Sequence, residues 1–70
     1  SKALYAGLKI LPDRQRQAIV LRHLEELSNP DISEIMEISI EAVESLIARG
    51  KRSLVLTLVP QKKALGLNDD

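Results

Sequence analysis

The sequence predicts an all-α domain of four helices ending in a helix-turn-helix, of the winged-helix-like DNA-binding class but without a wing. Three observations carry this expectation. Apolar residues recur at helical spacing in four stretches. Prolines and cap-forming serines punctuate those stretches. The last two are separated by only three residues, Glu37, Ile38 and Ser39.

The first helix is read over Lys2 to Lys9, with Ala3, Leu4, Leu8 and Ala6 as a short apolar stripe before Leu11-Pro12 interrupts it. Pro12 suits the first position of a second helix, where its missing N–H costs nothing, and Asp13 suits the positive end of the helix dipole. Ala18, Leu21 and Leu24 then share a face that Ile19, Val20 and Leu27 broaden, and this helix is expected to end near Glu25 to Leu27. Ser28 is a natural N-cap for the third helix, with Pro30 tolerated in the first turn and Asp31 completing a capping pattern. Ile32, Ile35 and Met36 form its expected buried stripe.

Ser39 is the N-cap of the fourth helix, read from Ile40 to about Leu58 on the period of Val43, Leu46, Ile47, Leu54 and Leu58. Gly50 lies on that stripe and costs up to about 1 kcal/mol relative to alanine; a close helix crossing would explain it. Pro60 is expected to stop the helix. The folded domain is therefore placed at residues 1–59, with 60–70 as a flexible C-terminal tail carrying only Leu65 and Leu67 as apolar anchors.

Composition narrows the function. Seventy residues allow one domain near the lower size limit for unaided folding. The absence of cysteine excludes disulfides and thiolate metal sites. With no Phe or Trp and one Tyr, the core must be aliphatic. Nothing reads as a signal peptide or as a membrane-inserting span, and a cytoplasmic setting fits. Ser1 at the start is consistent with a fragment or a processed product.

Net charge is zero, unlike a bulk nucleic-acid binder, but its distribution is uneven. From Arg49 to Lys63 there are five basic residues and no acidic one, whereas Glu25, Glu26, Asp31, Glu34, Glu37, Glu41 and Glu44 gather earlier.

A three-residue link forces the sharp turn of a helix-turn-helix, whose second helix presents its N-terminal half to the major groove. Ile32, Ile35, Ile38, Val43 and Leu46 are expected to pack as one cluster beneath it. The outward face is then Glu41, Glu44, Ser45, Ala48, Arg49 and Arg52. Ser45 and Ala48 permit close approach to base edges. Arg49 can fork onto guanine, and Glu44 can accept from a cytosine amino group. Lys51 and Arg52 are better placed for phosphates. Acidic-to-basic order is also what the helix dipole favours on any solvated helix, so charge alone does not separate the two readings; the short link and the small residues do.

His23, the single histidine, reads as a surface residue, and Met36 as core. Glu25 and Glu26 are adjacent and point apart on a helix, so they imply no acid–base pair. No nucleophile, phosphate loop, cofactor motif or metal-ligand cluster is visible, and the chain reads as a binding module, not an enzyme.

The run LPDRQRQAIVLRHLEELSNPDISEIMEISIEAVESLIARGKRSL, Leu11 to Leu54, resembles region 4 of the extracytoplasmic-function bacterial sigma factors. The residues that carry the resemblance are Leu11-Pro12 with Arg16, Leu21-Arg22-His23-Leu24, Leu27-Ser28, and the serine-led helix from Ser39 to Arg49-Gly50-Lys51-Arg52. The resemblance implies a domain that binds the promoter −35 element and contacts the β flap of RNA polymerase core. Base and backbone contacts would come from Ser39, Glu41, Ala42, Glu44, Ser45, Ala48 and Arg49, with a further phosphate contact from Arg22. In the family these surfaces are often covered by an anti-sigma factor. The chain departs from the pattern at Glu44 and Leu46, where basic residues are frequent, and at Glu37, where glycine is.

Two rivals remain. A sigma-like decoy that binds an anti-sigma factor is favoured by zero net charge and by Glu41 with Glu44, and opposed by Arg49, Lys51 and Arg52. The output domain of another helix-turn-helix regulator fits the LPDRQRQ and LRHL segments less well.

Overall fold

The computed structural model describes residues 2–64, with side chains described through Leu56. The chain forms α1 (Lys2–Ile10), α2 (Asp13–Ile19), which passes directly into a π-helical segment (Val20–Leu24), α3 (Asn29–Met36) and α4 (Ile40–Ala64). No strand occurs among the described residues. The long α4 is the spine, and α1, α2 and α3 all pack along it.

The core is Leu8, Leu11, Ala18, Ile19, Ile32, Val43, Ile47 and Leu54, with Leu4, Leu21, Leu27, Met36, Ile38 and Leu46 half-buried against it. No polar or charged residue is buried among the described residues, so stability rests on aliphatic burial and on how the helix ends are closed.

The first closure ties α1 to α2. Pro12 stands just before α2 instead of inside it. Arg16, one turn later, donates from Nη1 to the carbonyls of Leu11 at 3.2 Å and Lys9 at 3.4 Å and pairs with Asp13. The arginine of the Leu-Pro motif therefore satisfies the carbonyl end of α1, where a cation is favoured.

The second closure departs from the expected regular helix. In an uninterrupted α-helix Arg22, four residues after Ala18 and three after Ile19, would continue the buried face. The helix instead widens: Glu25 N–H donates to Val20 at 3.0 Å and Leu27 N–H to Leu21 at 3.0 Å. The wider turn changes the direction of the next side chains, so Arg22 and His23 lie outside. Leu24, expected on the apolar face, is 50% exposed for the same reason. Glu26 closes the segment at φ 59°.

The third closure is the turn between α3 and α4. Glu37 adopts the left-handed conformation, φ 57° and ψ 46°. Ile38 N–H reaches back to Ser33 at 3.1 Å and Glu37 N–H to Glu34 at 3.3 Å, the Schellman pattern that normally takes glycine. Ser33 grips Ile38 from both sides, because its hydroxyl also donates to the Ile38 carbonyl at 2.5 Å. The tight turn buries Ile32 but leaves Ile35 57% exposed. The expected cluster therefore loses Ile35, which lines an open groove with Arg16, Gln17, Val20, Leu21 and Met36 instead.

Gly50 accounts for the crossing of α2 on α4. A Cβ there would meet Ile19 Cγ1 at 2.8 Å and Cδ1 at 3.2 Å. The glycine is a notch that seats the buried Ile19.

The expected stop at Pro60 does not occur; α4 runs on to Ala64. Proline removes one backbone bond and costs about 3 kcal/mol inside a helix. Propagation past one missing bond still needs no new nucleus. Of the expected tail, residues 60–64 continue α4, and 65–70 lie outside the described residues.

Two substitutions test the third closure and the Gly50 notch by urea unfolding. Glu37→Gly should raise stability by about 1 kcal/mol by relieving the left-handed cost. Gly50→Ala should lower it by about 1 kcal/mol, because overpacking against Ile19 outweighs the better helix propensity. An unchanged or higher midpoint for Gly50→Ala would show that Ile19 is not seated in the notch.

Candidate nucleic-acid interface

The link between α3 and α4 is Glu37 to Ser39, and two serines start the helices it joins. Ser28 Oγ accepts from Asp31 N–H at 3.2 Å, and Ser39 Oγ from Ala42 N–H at 3.0 Å. Each occupies one of the unpaired N–H groups that open a helix. Ser39 thereby sets where α4 begins and which residues it turns outward.

On α4 the buried stripe is Val43, Ile47, Gly50 and Leu54. At about 100° per residue, the side opposite this stripe is centred on Glu41, Ser45 and Arg52. Arg49 lies at one margin, with Glu44, Ala48 and Lys51 at the other, and all seven are exposed. Ala42 is half-buried, so its part is chiefly the capped N–H. Ser45 at the centre and Ala48 beside it are the short side chains on this surface, and they stand where a helix would have to approach a groove floor.

The Glu44–Ala48–Lys51 margin meets the end of the second helix. Arg22, His23, Asn29, Glu44, Ile47, Ala48 and Lys51 line one open groove of about 380 Å³. The π-helical turn is what delivers Arg22 and His23 to it. Arg22 also donates from Nη1 to the Leu27 carbonyl at 3.3 Å, bracing the loop into α3 while leaving its other donors available. Slight desolvation, then the positive charges of Lys51 and Arg22, lower the pKa of the exposed His23 from the usual histidine value. Sequence reasoning placed Arg22 and Lys51 separately and left His23 as an inert surface residue. Only the widened turn brings the three together, and no simple periodicity encodes it. Asn29 was likewise missed; its place directly after the Ser28 cap was the available signal.

A second, more apolar groove of about 510 Å³ lies on the opposite side of the second helix, lined by Arg16, Gln17, Val20, Leu21, Ile35 and Met36. The exposed Ile35 belongs to this surface. Among the described residues no His, Asp or Glu cluster could hold a metal ion, and no helix is long and apolar enough to cross a membrane.

Comparison with known proteins places this geometry. The family model described as "Sigma-70, region 4" matches residues 1–54. The chain is 43% identical over 44 residues to the ECF RNA polymerase sigma factor SigW of Bacillus subtilis (strain 168). That match covers 63% of this chain and 24% of the relative, so the chain spans about a quarter of that relative's length.

The cap at the head of α4 is directly testable. Ser39→Ala should cost about 1 kcal/mol and speed amide exchange at Glu41 and Ala42 while leaving α1 unchanged. Equal acceleration throughout the chain would show that the cap acts on global stability and does not hold the helix start locally.

Proposed function

The chain belongs to the sigma-70 region 4 family, and from that premise we propose that it recognises the promoter −35 element and so helps direct RNA polymerase to its start sites. The observation that carries this reading is the exposed face of α4, on which the short Ser45 and Ala48 stand among Arg49, Arg52 and Lys51, with Arg22 beside it and a buried aliphatic stripe behind it. Such a face reaches into a major groove while its flanks meet phosphates. Arg49 and Ser45 read base edges, with Arg49 suited to guanine O6 and N7. Ala48 offers a methyl to thymine, and Glu44 accepts from a cytosine amino group. Arg22, Lys51 and Arg52 hold the backbone.

The apolar groove with Ile35 and Met36 is the face we assign to the β flap of RNA polymerase core. An exposed large aliphatic side chain beside a groove is suited to an inserted apolar segment of a partner. An anti-sigma factor would compete for one or both surfaces. The decoy reading keeps one specific support, the exposed carboxylates of Glu37, Glu41 and Glu44 at the leading end of α4.

An NMR titration of the labelled chain with duplexes differing in one central element separates the two readings. Sequence-dependent shifts should concentrate at Ser39 to Arg52 and at Arg22. With about three phosphate contacts, log affinity should fall with log salt at a slope of about −3. Arg49→Ala should relax discrimination between duplexes, by about 1–3 kcal/mol at one base pair, whereas Lys51→Ala should weaken all of them alike. A folded chain with no sequence-dependent shifts would favour the decoy.

A further inference from the structure

We propose that His23 is the third member of a phosphate-diester site formed with Arg22 and Lys51 in the groove between the π-helical turn and α4, and that occupation of this site couples DNA binding to uptake of a proton. The inference rests on the promoter-binding reading and assigns a role to a residue that reading leaves unused.

The geometry is that of one groove lined from three elements. Arg22 and His23 come from the π-helical turn, Asn29 from the start of α3, and Glu44, Ile47, Ala48 and Lys51 from α4. The charged groups facing His23 are thus Arg22 on its own element and Lys51 and Glu44 on α4, while α3 contributes the neutral Asn29 amide. Two fixed cations and one carboxylate leave the groove with a single net positive charge when His23 is neutral. Arg22 and Lys51 draw in a DNA phosphate, and His23 beside them is an additional donor for it.

In the free chain, slight desolvation and the two cations disfavour the imidazolium. A bound phosphate reverses the electrostatic part of that penalty: its negative charge offsets Lys51 and Arg22 and accepts a hydrogen bond from the protonated ring. The complex then binds more protons than the free chain. Affinity must therefore rise as pH falls through the window between the bound-state and free-state values, by at most about tenfold per pH unit for one proton. Above that window His23 is neutral in both states and the dependence disappears.

The test tracks the His23 ring resonances of the 70-residue chain across pH, with and without a short duplex. Affinity is measured in parallel for the native chain, His23→Gln and His23→Arg. Expected are a His23 titration moved upward by the duplex, a native affinity that rises on acidification, and a flat profile for both variants, with His23→Arg the tighter. Ser39 to Arg52 shifting on duplex addition while His23 titrates unchanged would overturn the phosphate site and leave promoter recognition standing. Affinity that rises equally on acidification in His23→Gln would overturn it as well. If no duplex perturbs α4 at low salt, the promoter reading fails and this inference falls with it.

Discussion

The crossing of α2 on α4 at Gly50 governs the rest of the molecule. Ile19 enters the space that a side chain at Gly50 would occupy, so the two helices approach as closely as a bare backbone on α4 allows. That approach sets the width of the groove beside it, because Arg22 and His23 lie three and four residues beyond Ile19 and Lys51 lies one beyond Gly50. A core whose buried residues are all aliphatic supplies cohesion but little directional preference. The notch and the three helix closures supply the direction.

Those closures share a theme. Their side-chain hydrogen bonds to the backbone fall at helix ends: Arg16 on the end of α1, Arg22 on the loop after the π-helical turn, Ser28 and Ser39 on the starts of α3 and α4, and Ser33 on the turn between them. The α3–α4 turn is a demanding one, since Glu37, like Glu26 before it, takes a positive φ that costs an L residue about 1–2 kcal/mol. Ser33 offsets this by bonding both polar groups of Ile38. A domain of this size reaches a defined turn between its last two helices without a glycine there.

What the sequence revealed depended on whether local chemistry or tertiary geometry decided the outcome. The four helices, the serine caps, the three-residue link and the reason for Gly50 were legible, because each rests on short-range periodicity or on one residue's stereochemistry. Leu24 was misplaced because a turn of π-helix shifts the phase of the helix beyond it and leaves no mark in hydrophobic spacing. Ile35 was misplaced because an apolar residue at helical spacing can serve an open groove as readily as a core. Pro60 was read as a stop from a local penalty that an established helix absorbs. The outward face of α4 could be read from the caps onward, whereas the meeting of Arg22, His23 and Lys51 depended on the widened turn.

That turn carries an implication for how the chain tolerates change in length. A π-helical turn accommodates one residue more than an α-helix would between the same two anchors, here the buried Ile19 and the half-buried Leu27. Removing a residue between them would let the helix revert to regular winding with its core contacts largely kept, and the chain would still fold. Its cost would fall elsewhere: the regular winding would redirect Arg22 and His23 and take them out of the groove. The segment from Val20 to Leu24 is thus a place where a shorter chain could remain a sound domain and lose its electrostatic edge.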